Sequence, residues 1–273
     1  MKITFIGGGN MANALIGGLR KQGFSAAGMQ VVEPVEELRE RLTDNFGVRC
    51  TAGVDAAALN CEVLVLAVKP QAMKAALAPA AGKLHGQLVI SIAAGLRLAD
   101  IGRWLGGNDS YHNLVRAMPN TPALIGAGIT GLYADPAVDH EGHETAEKIL
   151  RAVGRVLWVE DEALMDVVTA VSGSGPAYVF YFIEAMQNAG TGLGLPAETA
   201  RLLAIETFLG AARLAESSDE TIAELRARVT SKGGTTAAAI EVFNATGVDA
   251  SIAAGVEAAA ARGRELCNIL GQD

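Results

Sequence analysis

Ile3-Thr4-Phe5-Ile6-Gly7-Gly8-Gly9-Asn10-Met11-Ala12 decides the fold of this chain. Ile3, Phe5 and Ile6 predict a short buried strand almost at the first residue. Gly7, Gly9 and Ala12 follow it as Gly-x-Gly-x-x-Ala, and Met11, Leu15, Ile16 and Leu19 continue with helical spacing. A strand, a glycine turn and a helix, in that order, are the context a dinucleotide fingerprint requires. Gly7 allows the tight turn, Gly9 lets backbone approach a pyrophosphate, and Ala12 keeps the helix close to the strand. The helix start offers free N–H groups and partial positive charge to phosphate. Gly7, Gly8, Gly9, Asn10 and Met11 are accordingly the candidate phosphate loop. In a chain with 32 glycines the same pattern also describes a turn that binds nothing. Its position directly after an N-terminal strand favours the binding reading.

Composition narrows the rest. The chain has 273 residues, room for two domains, and half of it is apolar. No run approaches the roughly 18 apolar residues of a membrane helix, so no membrane association is expected. Met1 to Ile6 has the cation and apolar residues of a secretory leader, but Gly7-Gly8-Gly9-Asn10 interrupts it and is needed for the fingerprint. Cys50, Cys61 and Cys267 are odd in number and lack metal-ligand spacing; they read as reduced thiols of a cytoplasmic protein. A net charge of −8 argues against a nucleic-acid surface. His140 and His143 stand three residues apart in a polar stretch, not as His-Glu-x-x-His, and read as an exposed helix start; no metal site is expected.

Further strands follow in order. Gln30-Val31-Val32 leads to Glu33, 21 residues beyond Ala12, where a Rossmann unit places a carboxylate for ribose hydroxyls. Such a group favours NADH, because it repels a 2′-phosphate. Val63 to Val68 is a continuous apolar run, as in a parallel strand covered on both faces, and it ends at Lys69-Pro70. Leu88 to Ile92 ends in Ala93-Ala94-Gly95, and Tyr111 to Ala117 ends in Met118-Pro119-Asn120-Thr121-Pro122. Residues 71–83 and 97–106 predict helices between them. Gly128–Tyr133 and Arg155–Val159 predict two last strands around a helix over Glu141–Val153. Strands alternating with helices give a doubly wound, mostly parallel α/β sheet. Ligands of such sheets sit beyond the carboxyl ends of the strands. Ala67, Val68, Lys69, Pro70, Ala93, Ala94, Pro119 and Asn120 should therefore line the cofactor cleft, although each segment also reads as an ordinary turn.

From about Asp161 strand runs stop and helices dominate. The expected domains are a dinucleotide-binding unit over 1–160 and an all-helical substrate and dimerisation unit over 161–273. Helices are predicted over Met165–Val171, from Pro176 to about Ala189 with Gly190, Gly192 and Gly194 ending it, and over Pro196–Glu216, Asp219–Val229, Ala237–Ala245 and Ala250–Leu270. An Ala-rich helical half with no obvious core of its own points to at least a dimer through the C-terminal helices. Two of its segments carry chemistry. Ser172-Gly173-Ser174-Gly175-Pro176 is a bend inside a helical stretch, unfavourable unless a ligand or backbone needs the room. Ser231 to Thr236 brings Gly233 and Gly234 into a helix capped by threonine, either simple capping or a seat for a small carboxylate.

Read together, these segments resemble a known family. Gly-Gly-Gly-Asn-Met-Ala at 7–12, Ala-Val-Lys-Pro at 67–70, Ser-Ile-Ala-Ala-Gly at 91–95 and Arg-Ala-Met-Pro-Asn-Thr-Pro at 116–122 resemble pyrroline-5-carboxylate reductases. So do Val-Ser-Gly-Ser-Gly-Pro-Ala-Tyr at 171–178 and Gly-Gly-Thr-Thr at 233–236. The resemblance runs through nearly the whole chain. It implies a Rossmann domain followed by an all-α dimerisation domain, and reduction of 1-pyrroline-5-carboxylate to proline, the last step of proline synthesis. NADP(H) is the implied cofactor, with NAD(H) competitive because of Glu33. It also implies that Ser172, Gly173, Ser174, Gly175, Pro176, Ser231, Gly233, Gly234, Thr235 and Thr236 bind substrate, with Thr236 as the catalytic hydroxyl. Two positions depart from the family: Lys232 replaces a usual Pro, and Glu33 stands where many members have a small or polar residue.

The chemistry suits these residues. Hydride attack on a C=N bond gives an amine, so no strong acid has to protonate an alkoxide, and orientation carries most of the work. A β-hydroxyacid dehydrogenase or another imine reductase is the rival enzyme. The former needs a helical Lys acid, and Lys232, the only Lys after residue 160, lies in a loop. A non-catalytic NAD(P)H-binding regulator would keep the 7–12 loop without needing the later segments.

Overall fold

The computed structural model describes residues 1–272. Eight strands form one sheet: β1 (Ile3–Ile6), β2 (Met29–Val32), β3 (Arg49–Thr51), β4 (Val63–Leu66), β5 (Leu88–Ser91), β6 (Leu114–Met118), β7 (Gly128–Ala134) and β8 (Gly154–Trp158). Their order is β3-β2-β1-β4-β5-β6-β7-β8, parallel throughout except that β7 runs antiparallel to β6. The chain thus has the expected doubly wound, mostly parallel Rossmann sheet, with its order reversing beside β1.

The unbroken apolar strands follow from two cores, one on each face. Alternate residues point to opposite sides. Phe5, Val31, Val65 and Ile90 join one core with Leu15, Ile16 and Leu19 of α1 (Asn10–Lys21) and Leu42 of α2 (Glu36–Phe46). Ile6, Val32, Leu64, Leu66 and Val89 join the other, with Ala58 of α3 (Ala56–Leu59), Met73 and Leu77 of α4 (Met73–Leu77), and Leu98 and Ile101 of α5 (Leu98–Leu105). Thr4, fully buried on β1, donates its hydroxyl to the Ala58 carbonyl at 2.7 Å, so its polar atom is satisfied.

Several boundaries differ from the sequence reading. The helix expected over 71–83 is broken into 3₁₀ turns at Pro70–Ala72 and Ala78–Ala80 around the short α4, because Pro79 removes a donor. The strand expected from Tyr111 begins at Leu114; the Tyr111 N–H is taken by the Gly102 carbonyl instead. β3 and α3 were not expected at all. The helix near His140, α6 (His140–Leu150), starts there under an Asp139 cap.

Packing separates two compact units, Met1–Ser174 with the stretch from Ala259 onward, and Gly175–Ala258. The first includes α7 (Leu164–Val168) and a π turn at Thr169–Gly173. The second holds α8 (Gly175–Gly192), α9 (Ala197–Ser217), α10 (Ile222–Arg228), α11 (Thr235–Ala245) and the start of α12 (Val248–Leu270). Gly190 does not end α8, which runs on to Gly192; the positive φ that stops the chain belongs to Gly194. Among the described residues no helix is long and apolar enough to cross a membrane.

One buried ion cluster ties the first unit together. Arg116 on β6, 3% exposed, reaches Asp166 on α7 at 3.1 Å and Glu162 at 3.2 Å, and Cys267 of α12 lies 3.7 Å from the same Asp166 oxygen. Burial pushes the Cys267 thiol up, which keeps its proton available for that oxygen. Removing one partner of a buried pair leaves a charge without solvent. Asp166→Ala should therefore lower unfolding stability by about 3 kcal/mol, the low end of the usual range because Glu162 remains. Urea denaturation at fixed protomer concentration checks this; an unchanged midpoint would show that Arg116 is not relying on Asp166.

Candidate functional site

The parallel register puts the carboxyl ends of β1, β2, β4, β5 and β6 at one edge: Ile6 pairs with Val32 and Leu66, Leu66 with Ser91, and Ser91 with Arg116. The residues just after those ends are Gly7, Glu33, Ala67–Pro70, Ala93–Ala94 and Pro119–Asn120. All the expected cofactor-side segments of the first unit thus share one edge of the sheet, with Gly7 and Ala67 on either side of the point, between β1 and β4, where the strand order reverses.

Gly7 turns the chain there with φ +99°, and a Cβ on it would stand 2.7 Å from the Ala67 carbonyl oxygen. No other residue fits. Its N–H donates to the Val32 carbonyl at 2.8 Å, while the Ala67 N–H donates to Ile6 at 2.8 Å, so the turn is held by both neighbouring strands. Gly9 behaves differently. Its φ of −71° suits any residue, and a Cβ there would meet nothing within 4 Å. Open space beside Gly9 is what an incoming phosphate needs.

Gly9 is the N-cap of α1, with no side-chain cap and no acidic residue in the first turn. The first intrahelical bond is Asn13 N–H to Gly9 at 2.9 Å, which leaves the N–H groups of Asn10, Met11 and Ala12 without helical acceptors. Asn13, which the sequence reading passed over, also donates its side-chain amide to the Gly8 carbonyl at 2.9 Å and the Gly9 carbonyl at 3.1 Å. An Asn in the first turn, within reach of the preceding loop carbonyls, was the available signal. This loop is pre-shaped for an anion.

Glu33 is 7% exposed and locked in place. One carboxylate oxygen accepts the Gly8 N–H at 2.8 Å, the other the Val35 N–H at 2.9 Å, and Arg39 donates to the Glu33 carbonyl at 2.9 Å. Each carboxylate oxygen keeps a second lone pair for a hydroxyl. A carboxylate is thus fixed directly beside the glycine loop. Lys69 caps the following 3₁₀ turn with its side chain exposed.

The Ser172–Pro176 bend takes the form of a π turn over Thr169–Gly173, after which α8 starts at Gly175 with Pro176 in its first turn. In the first unit the turn is attached to the end of β6. Asn120 Nδ2 donates to the Ser172 carbonyl at 3.2 Å, and a Cβ on Gly173 would stand 2.4 Å from Met118 Cε. Ser172 turns its hydroxyl back onto the Val168 carbonyl at 2.8 Å.

Ser231 to Thr236 lies in the second unit, as a tight turn running into α11. Gly233 has φ +73°, and the Gly234 N–H donates to the Ser231 carbonyl at 3.0 Å. The expected threonine cap is not there: Gly234 is the N-cap, and Thr235 and Thr236 are the first two helical residues, both exposed. With glycine capping, no side chain competes for the first N–H groups of α11, and both hydroxyls stay available. Lys232 is exposed in the turn, not on a helix.

Comparison with known proteins adds a family to this geometry. Residues 162–266 match the family described as pyrroline-5-carboxylate reductase dimerisation, and residues 2–95 match NADP oxidoreductase, coenzyme F420-dependent. A pyrroline-5-carboxylate reductase of Pseudomonas aeruginosa is 49% identical over 99% of this chain and 98% of its own. One from Haemophilus influenzae is 44% identical over 89% of each. Among solved structures, the pyrroline-5-carboxylate reductase of Coxiella burnetii superposes with a TM-score of 0.90 at 41% identity, covering 97% of this chain and 98% of that one. That of Plasmodium falciparum, solved with NADP bound, gives 0.86 at 27% identity, covering 98% of each. With both units matched and the likeness continuous from end to end, the chain belongs to the pyrroline-5-carboxylate reductase family.

Proposed function

We propose that this chain reduces 1-pyrroline-5-carboxylate to proline with NADPH, and that NADH serves as well. The observation that carries the reading is the 49% identity over 99% of the chain to a pyrroline-5-carboxylate reductase. The site geometry supports it. Gly7–Met11 holds the pyrophosphate on the free N–H groups of α1, and Glu33 meets the adenosine ribose. Ala67–Pro70, Ala93–Ala94 and the backbone at Pro119–Asn120 line the way to the nicotinamide. The bound dinucleotide supplies the hydride. Residues 1–160 carry this half of the task, and 161–273 carry substrate binding and dimerisation.

The protein's part is orientation. Ser231, Gly233, Gly234 and the N–H groups of Thr235 and Thr236 hold the substrate carboxylate at the start of α11, where unpaired N–H groups and the helix dipole favour an anion. Ser172–Pro176 bounds the ring. The Thr236 hydroxyl bonds the ring nitrogen and fixes which face of the C=N bond is attacked. The second unit also exposes Phe180, Tyr181, Leu202, Leu203 and Phe243, and carries an apolar groove of about 780 Å³ lined by Tyr178, Phe182, Met186 and Phe208 among others. Apolar surface of this extent on a helical unit fits a homo-oligomer, at least a dimer through the C-terminal helices. We place the enzyme in the cytoplasm.

Wild-type protein should use both cofactors, and Glu33→Ser should raise the NADPH-over-NADH ratio of kcat/KM by about tenfold, by removing a charge that opposes the 2′-phosphate. An unchanged ratio would mean that Glu33 serves only the Gly8 and Val35 N–H groups.

Thr236→Val should lower kcat/KM for the imine by about 2–4 kcal/mol, tens- to several-hundred-fold, through lost alignment. NADPH affinity should barely move, and Lys232→Ala should keep most activity. Full activity in Thr236→Val with none in Lys232→Ala would replace orientation by an acid mechanism, as in the hydroxyacid dehydrogenases.

A further inference from the structure

The carbonyl of Ser172 is set apart by the sequence itself. In a continuous α-helix it would accept from the N–H four residues on, but that residue is Pro176, which has none. The chain widens there into the π turn Thr169–Gly173, closed by the Ser174 N–H on the Thr169 carbonyl at 2.8 Å. Such turns are frequent at functional sites. An unpaired carbonyl in a half-buried position costs the desolvation of that group. Asn120 removes the cost from 52 positions away: its Nδ2 donates to Ser172 at 3.2 Å while its Oδ1 accepts the Ile129 N–H at 3.0 Å. Asn120 is buried, so both ends of its amide are committed within the protein. The end of the Met118 side chain lies against Gly173 of the same turn. Thr169 and Ser172 turn their hydroxyls back onto the Met165 and Val168 carbonyls, whereas the Ser174 hydroxyl has no partner among the described residues.

We propose that Asn120 is a positioning residue for the reduction. It supplies the N–H that Pro176 lacks, and so holds Ser172–Ser174 in the shape that presents Ser174 to the substrate. The inference rests on the reading above that this bend contacts the substrate. Within the first unit it joins the end of β6 to the bend at Ser172–Ser174, and it gives the Asn120 side chain a task apart from the dinucleotide.

The test is a double-mutant cycle between Asn120→Asp and Pro176→Ala, assayed above neutral pH, where the new carboxylate has no proton to donate. Asp keeps an acceptor for the Ile129 N–H and removes the donor to Ser172; Ala at 176 gives Ser172 a helical N–H of its own. Asn120→Asp should lower kcat/KM for pyrroline-5-carboxylate about tenfold or more, chiefly through KM for the imine. Its Kd for NADPH, from fluorescence titration, should stay within about twofold of wild type, and in the Pro176→Ala background its effect on kcat/KM should shrink to about threefold or less. Equal losses in both backgrounds, or a loss that follows the NADPH Kd, overturn the proposal. Asn120→Ser, uncharged, is run in parallel so that an unfolded aspartate variant does not decide the result. Ser174→Ala separates the two levels. Wild-type kinetics in that variant would overturn the substrate reading of the bend, and the inference with it. A loss there, with none in Asn120→Asp or Asn120→Ser, would overturn the inference alone.

Discussion

The approach of the residue-7 backbone to the Ala67 carbonyl is the constraint on which the rest depends. A side chain at position 7 would stand 2.7 Å from that oxygen, so β1 can turn beside β4 only with glycine. That turn sets where α1 begins, and therefore where three unpaired N–H groups point. It also fixes Gly8, whose N–H is taken by Glu33 and whose carbonyl is taken by Asn13. Gly7 and Gly8 are held by Val32, Glu33 and Asn13, and what stays uncommitted is the open side of Gly9 and the N–H groups of Asn10, Met11 and Ala12. Preorganisation of this kind lets an anion bind without the loop having to order itself first.

Much of this was legible in the sequence, for identifiable reasons. Val63–Leu66 reads as an unbroken apolar run because both faces of the central strands are covered, and a period-two signal is not needed when each face has its own core. Glu33 was legible from its distance to the glycine turn. Arg49–Thr51 was not, being one exposed and two half-buried edge residues with no apolar pattern. Gly190 misled because glycine inside a helix costs only about 1 kcal/mol and packing overrides it. The contact between Asn120 and Ser172 could not be read forward, since it joins residues from different elements. It can be read backward, because Pro176 announces a missing donor without saying who replaces it.

The two candidate anion seats share a device. Each is a helix whose N-cap is glycine, Gly9 for α1 and Gly234 for α11, and neither has a side-chain cap or an acidic residue in its first turn. A Ser or Asp at either position would stabilise its helix by only about a few tenths of a kcal/mol and would occupy the N–H groups that a ligand is to use. Both helices give up that stability at the same place. The buried Arg116 cluster performs the opposite task in the first unit. It pairs the Arg116 charge on β6 with Asp166 of α7 and with Glu162, and adds the Cys267 thiol of α12, two residues before Met118 meets the π turn. Rigid support on one side of β6 and a fitted turn at its end are compatible with a reaction that asks for alignment more than for acid.

The central claim, that the turn at residues 7–11 is the dinucleotide site, is tested most directly at Gly9. A Cβ there is free of protein contacts and its backbone angles are ordinary, so Gly9→Ala should fold with a urea midpoint close to wild type. The same methyl group would stand where phosphate has to come against the backbone. The account predicts that the variant's Kd for NADPH, measured by fluorescence titration, rises about tenfold or more. A folded Gly9→Ala protein that binds NADPH as tightly as wild type would contradict it.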